Sequence, residues 1–370
     1  MVPFLAEHHG NPSGSHAAAR FARRAVDDAR DLVAALVGCR PGEVVFTSGG
    51  TESDAAALVG ATAARPGPLV VSAIEHHAVL DTARALVGDA LLLVPVDDRG
   101  VVDVDALASL LRAAEVPPTL VSIALANNEV GTVQPLDAVA ATVAEHAPDA
   151  VLHTDAVQAA AWLDLPRLAS GAALVSLSAH KLGGPKGVGA LVVREGTPVD
   201  PMLRGGGQER GRRSGTPNVA GIVGFGVAAR LLSEQRAEVA ACVAARRDRL
   251  ADGLVAALSP LVPGARETVV GPDRDRSHLL PGHLHLLLPG VASDELLFLL
   301  DRAGIAASAA SSCASGATEP SHVLAALGIP VDVGVGGRPA EGQAQRAAGH
   351  LGRDPEGGQH VRRLGRARGA

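Results

Sequence analysis

The chain has 370 residues (37.3 kDa), 47% of them hydrophobic and 19% charged, with a formal net charge of -6. That is globular composition with chain enough for two domains of ~150 residues each, and interspersed charge of mildly acidic balance argues against direct nucleic-acid binding. No apolar run reaches the ~18 residues of a membrane span, and Met1 to Gly10 lacks the basic and apolar regions of a secretion signal. Three scattered cysteines (Cys39, Cys242, Cys313) supply neither a disulfide framework nor a four-cysteine metal site. A cytoplasmic protein without membrane contact is expected.

Short β-branched or Leu-rich runs at 44–48, 69–75, 91–97, 119–125, 150–155, 173–179 and 189–193 are separated by Ala-rich amphipathic stretches. Candidate helices lie near 16–38, 52–64, 76–88, 103–115, 136–147 and 217–258. This rhythm predicts an α/β fold, a mostly parallel central sheet flanked by helices, with function at the carboxyl ends of its strands. A Pro/Gly/Arg-rich link (259–277), a strand at 283–288, a helix at 293–303 and the small-residue segment AASAASSCASGA follow, and read as a smaller α+β domain. The expected division is a large domain over 10–258, a small domain over 259–331 that carries the cysteine segment, and an atypical tail over 332–370. The tail is rich in Gly, Arg, Ala and Gln, has Leu351 and Leu364 as its only leucines, and is expected to be disordered.

Abundant Ala, Gly, Arg, Pro and Val suggest a GC-rich coding sequence in which few lysines and asparagines survive. Only Lys181 and Lys186 remain, both in HKLGGPKG, and Asn11, Asn127, Asn128 and Asn218 fall in NPSGSH, NNEVG and RSGTPN. Such survivors mark positions where their chemistry is needed. In VVFTSGGTESD a strand runs through Ser48, Gly49, Gly50 and Thr51 into a helix with Glu52 in its first turn. That turn offers backbone N–H groups and a hydroxyl to an anion, or is an ordinary glycine turn capped by Thr51 or Ser48. Asp155 ends a buried strand, where an unpaired carboxylate should meet a cation or else cap a helix, and Gln158 lies three residues on. Ser178, His180 and Lys181 follow the next strand, and a lysine partly desolvated there is a usable nucleophile. Cys313 lies among Ser, Ala and Gly as a candidate accessible thiol, whereas Cys39 and Cys242 read as small buried residues. His8 and His9, and the pair His283 and His285 on one strand face, lack a third ligand at sensible spacing, so no metal site is expected. An anion site, a carboxylate for a ring cation, a strand-end lysine and a separate thiol together suggest pyridoxal 5'-phosphate held as a Schiff base, with an added sulfur nucleophile.

Eight stretches carry a resemblance: GNPSGSH, FTSGGTESD, EHHAVLD, NNEVGTVQPL, HTDAVQ, SAHKLGGPKGVGAL, GGGQERGRRSGTPN and SSCASGATEPSHVLAALGI, collinear over residues 10–329. In this order they resemble the cysteine desulfurases of the pyridoxal-phosphate fold type I, class V aminotransferase superfamily, in the group with its catalytic cysteine on a long mobile loop. The resemblance implies that Lys181 forms the Schiff base, Asp155 pairs with the pyridinium nitrogen and His76 stacks on the ring as a catalytic residue. Gln158 and Asn128 would contact the phenolic oxygen or nearby substrate. Gly50, Thr51, Ser178 and His180 would hold the phosphate, and Thr216 would reach the phosphate of a neighbouring subunit, which implies a homodimer. His77 is taken as structural. L-cysteine would yield L-alanine and a persulfide on Cys313, destined for a sulfur-acceptor protein of iron-sulfur cluster assembly or tRNA thiolation. A selenocysteine lyase, another lyase of this fold, or an inactive cofactor-binding relative are the alternatives.

The chain also departs from the family. Met1 to His9 do not match the family's N-terminal Asp and Ala-Ala-Thr-Thr run, and the arginine strand that clamps the substrate carboxylate is replaced by GGRPAEG, with Arg338 as its stand-in. The abrupt change near Pro330 is expected to reflect a shifted reading frame or a shortened gene model.

Overall fold

The computed structural model describes residues 1–309 and 321–329. The expectations for Cys313, Arg338 and the tail over 332–370 lie outside the described residues.

Seven strands form one sheet: β1 (Val44–Thr47), β2 (Leu69–Ser72), β3 (Leu91–Val94), β4 (Leu120–Ser122), β5 (Val151–Asp155), β6 (Leu174–Ser178) and β7 (Gly189–Val193), ordered β1-β7-β6-β5-β4-β2-β3. Only β7 runs against the others, antiparallel to both β6 and β1. Every strand except β3 is buried along its length, which explains why the runs read as continuously apolar rather than alternating. Several strands end earlier than the runs predict. The segment 69–75, for instance, leaves the ladder after Ser72, and its last residues enter a turn at the carboxyl edge.

The helices are α1 (Val2–Ala6), α2 (Ala17–Val37), α3 (Gly50–Ala64), α4 (His77–Val87), α5 (Val104–Ala113), α6 (Leu136–His146), α7 (Leu165–Leu168), α8 (Val219–Leu258), α9 (Ser293–Arg302) and α10 (His322–Ala326). Strand alternation sorts the core into two layers. Val44 and Phe46 join the cluster that includes Val33, Val37 and Phe225 of α2 and α8, whereas Val45 joins Ala57, Leu58 and Leu80 of α3 and α4. Helices α2 and α8 approach closely because Gly226 has no side chain; a Cβ there would stand 2.7 Å from the Ala29 Cα.

Past α8, β8 (Arg266–Glu267) pairs antiparallel with β9 (Leu286–Leu287). The expected strand over 283–288 therefore shrinks to two residues. The His283 N–H turns back to the Leu280 carbonyl instead of joining a ladder, so His283 and His285 do not share a strand face. Val323, Leu324 and Leu327 pack with Ile74 and Val130, which brings α10 against the carboxyl-edge loops of the sheet. The expected burial of the other cysteines is also corrected. Cys242 is exposed on α8, and Cys39 is half-buried, its thiol pushed up to about 11 by burial. Among the described residues no helix is long and apolar enough to cross a membrane, and no group of three or more His, Cys, Asp or Glu is placed to hold a metal ion.

Candidate active site at the carboxyl edge of the sheet

Because β1, β2, β4, β5 and β6 run the same way, their carboxyl ends line one edge of the sheet. Each releases one of the polar stretches: Ser48 to Thr51 after β1, Glu75 to His77 after β2, Asn127 and Asn128 after β4, Asp155 to Gln158 from β5, and Ser178 to Lys181 from β6.

The turn after β1 opens α3 at Gly50, with Gly49 at the cap and no side-chain cap. Neither Ser48 nor Thr51 caps it. Instead the Glu52 carboxylate reaches back to accept the Ser48 N–H at 2.8 Å and is held by Arg213 at 2.7 Å. The first N–H groups of the helix have no acceptor within it and Thr51 is exposed, so an anion can be received there. Small residues keep the turn open, since a Cβ on Gly50 would stand 2.9 Å from Val157 Cγ2 and 3.6 Å from Ser178 Cβ. Ser178 Oγ lies 2.8 Å from His180 Nδ1, and partial desolvation together with Lys181 and Lys186 lowers the proton affinity of the largely exposed His180 ring.

Asp155 is 8% exposed, and among the described residues its carboxylate accepts one hydrogen bond, from the Val157 N–H at 2.8 Å. Burial pushes its pKa up to about 6, opposed by that N–H and by the Lys181 ammonium. No helix starts at Asp155, so the expected cap is instead a turn after β5 held by one carboxylate oxygen.

Lys181 lies in the 3-10 turn Ala179–Leu182 and is exposed rather than partly desolvated. Its charge acts on Asp155, His76, His180 and His283, so the fold brings these groups into one electrostatic neighbourhood. His76 caps α4, its Nδ1 accepting the Ala78 N–H at 3.1 Å, which leaves the ring proton of the neutral form on Nε2. Burial, His77 and Lys181 lower its pKa. His77 points elsewhere, with Nδ1 3.4 Å from Asp81 and its ring 4.7 Å from that of His322.

Asn127 is buried and organises the loop after β4, donating to the Ile74 carbonyl and accepting from the Glu129 and Val130 N–H groups, which sets the half-buried Asn128 beside it. Gln158 is half-buried in the turn after β5. Thr216 is exposed and lines a cavity of about 140 Å³ with Ser48, Gly187 and Asn218 of its own chain.

The residue patterns missed two histidines that border this edge. His283 is held by the Asn128 backbone, and its buried Nδ1 has no hydrogen-bond partner among the described residues. His322 Nε2 lies 2.9 Å from the Glu75 carbonyl. His283 was read only as half of a possible metal pair on a strand, and His322 fell inside the stretch SSCASGATEPSHVLAALGI without a role of its own. Asp54, Glu75 and His153 were missed too, although polar residues interrupting apolar strands, such as Ser122 in TLVSIAL, His153 in AVLHTD and Ser176 in ALVSLSA, were a usable sign.

The open helix N-terminus suits a phosphate, the carboxylate of Asp155 a ring cation, and Lys181 a carbonyl, so this donor set fits pyridoxal 5'-phosphate. The sequence pattern of the aminotransferase class-V family matches residues 1–335. The cysteine desulfurase IscS of Dictyoglomus turgidum is 38% identical over 342 residues, covering 91% of this chain and 83% of the relative. A cysteine desulfurase of Cereibacter sphaeroides is 43% identical over 338 residues, 89% of this chain and 82% of its own length. Among solved structures, a NifS-like protein superposes with a TM-score of 0.78 at 33% identity, covering 95% of this chain and 92% of that one. The structure described as SspA in complex with cysteine gives 0.72 at 28% identity, covering 91% and 94%. With its family pattern, relatives and parallel-sheet architecture in agreement, this chain belongs to the pyridoxal 5'-phosphate-dependent cysteine desulfurases of the aminotransferase class-V family.

Proposed function

We propose that this chain converts L-cysteine to L-alanine and retains the sulfur as a persulfide on Cys313. The observation that carries this reading is the convergence of Lys181, Asp155 and His76 from three different strand ends. Bound pyridoxal 5'-phosphate supplies an electron sink for the substrate Cα. Lys181 would hold the cofactor through its aldehyde carbon and would supply the amine that takes the substrate Cα proton. Asp155 would hold a protonated ring nitrogen, and His76 would pack against the ring. Gly50, Thr51, Ser178 and His180 bind the phosphate through N–H groups and hydrogen-bonding side chains. Asn128 and Gln158 contact the phenolic oxygen or the substrate, and Arg338 is the candidate for its carboxylate.

The Cys313 thiolate attacks the substrate sulfur. An S–S bond forms as the Cβ–S bond breaks, the bonding electrons stay on the carbon fragment, and protonation completes alanine. The persulfide then serves an acceptor protein of iron-sulfur cluster assembly or tRNA thiolation in the cytoplasm. Thr216 reaches the phosphate of a second copy in a homodimer, residues 10–258 form the cofactor domain, and 259–331 the smaller domain.

The test is the absorbance of the purified protein with cofactor, before and after L-cysteine, with alanine and sulfide assayed together. A shifted band with alanine formed supports the reading. In Cys313→Ala the band should persist and sulfide release should stop. Undiminished alanine formation in that variant would identify a lyase that does not use the thiol.

A further inference from the structure

Two more carboxyl groups are buried at the edge that presents Asp155. Asp54 of α3 is 1% exposed and Glu75, between β2 and α4, is 0% exposed. Among the described residues Asp54 Oδ1 has no hydrogen-bond partner; the nearest basic atom is His153 Nε2 at 3.7 Å, beyond hydrogen-bond reach, and the Ser176 hydroxyl is the partner of the carboxyl group. His153, fully buried, has its own nitrogens engaged, Nδ1 2.8 Å from Ser122 Oγ and Nε2 3.0 Å from Ser176 Oγ. Glu75 Oε1 accepts the Ser72 hydroxyl at 2.8 Å and the Ala124 N–H at 2.7 Å, while Oε2 is buried without a partner among the described residues. Among the described residues no lysine or arginine bonds to any of the three acids. Three negative charges crowded into one region without a cation are strongly disfavoured.

We propose that Asp54 and Glu75 are positioning residues for Asp155: both are held as neutral carboxylic acids, so that Asp155 carries the single negative charge of the buried cluster. The proposal rests on the reading of Asp155 as the partner of the ring nitrogen. A second charge beside Asp155 raises its proton affinity and turns it into a neutral acid, which no longer holds a ring cation. Burial and the Asp155 charge push Asp54 well up, and burial with the same charge pushes Glu75 up to about 8 against its two donors. The groups facing the cluster are His153 and Asp155 on β5, Lys181 after β6, His76 beside Glu75, and His322 of α10 at the Glu75 carbonyl. His153 offers no compensating charge, because burial lowers its pKa to about 3.

The experiment compares the full chain with Asp54→Asn and Glu75→Gln, which keep shape and remove the option of charge. Difference infrared spectra near neutral pH should show a protonated-carboxyl stretch in the wild type that each variant lacks in part. The absorbance of bound cofactor should match the wild type in both variants below neutral pH. An alkaline step at about 8, from ionisation of Glu75, should disappear in Glu75→Gln.

Absence of the protonated stretch in the wild type overturns the proposal. A variant that fails to fold near neutral pH does the same, because a neutral acid is replaceable by its amide. An alkaline step unchanged in both variants refutes the link to Asp155. Failure to form alanine, with the stretch and the step as expected, counts against the desulfurase reading alone.

Discussion

The α2 face of the sheet and its carboxyl edge bury charge in opposite ways. On the α2 face, Arg30 meets Glu209 through two bonds of 2.7 and 2.8 Å, donates to the Val44 carbonyl, and leaves Glu209 to accept the Phe46 N–H. Glu209 and Arg210 adopt left-handed backbone conformations there, with φ of 48° and 57°, a local cost that the ion pair helps to offset. At the carboxyl edge, Asp155, Asp54 and Glu75 have hydroxyls and N–H groups but, among the described residues, no bonded cation. Charges saturated by each other make structure; a charge left unsaturated at a strand end is available for a ligand.

The contrast is broken most sharply at Lys181. Lys181→Ala should lower turnover by about 10³-fold or more, while the urea midpoint stays at the wild-type value because the side chain is exposed. A stability loss of similar size to that of a core mutant would mean that the lysine is structural. Arg30→Ala should do the reverse, costing about 3–5 kcal/mol of unfolding free energy by stranding the buried Glu209 charge. Denaturant unfolding checks it, and a loss below about 1 kcal/mol would show that the pair is screened.

Asp155→Asn sharpens the comparison. The folded pKa of Asp155 is raised to about 6 from an ordinary 3.8, so its contribution is present below 3.8 and is lost as pH rises through about 6. The variant should therefore gain stability relative to wild type above that pH, with the difference fading in acid, even as turnover falls. His153 works in the other direction. Its folded pKa lies at about 3, below the ordinary 6.5, so its contribution is present above 6.5 and is lost as pH falls towards 3. Unfolding curves over that window should be flatter in His153→Gln. The smallest effect is expected at Cys242→Ser, within about 0.5 kcal/mol, since that thiol is exposed.

Much of the candidate site could be named from the sequence because polar residues stand at strand ends in a chain that has few lysines and asparagines. Lys181 and Asp155 were marked by local patterns and His76 by the family resemblance alone, and in the structure the charge of Lys181 acts on both of the others. The alternation of apolar runs likewise marked all seven strands of the main sheet. The His283 to Leu288 segment misled, because alternating His and Leu imitate a strand while a turn back to Leu280 takes the backbone out of the ladder. Cys242 misled for a related reason: an Ala-rich helix reads as buried, although one side of α8 faces solvent.

The sequence by itself determined the parallel α/β architecture, the family and which polar residues stand at the strand ends, because apolar periodicity and short collinear motifs are local properties. Only the tertiary structure decided which buried carboxyls have no bonded cation among the described residues. It also decided that Glu52 is tied to Arg213 and that His283 and His322 border the site. Pairing, burial and electrostatic reach depend on residues far apart in the chain, and no local pattern encodes the distance between them.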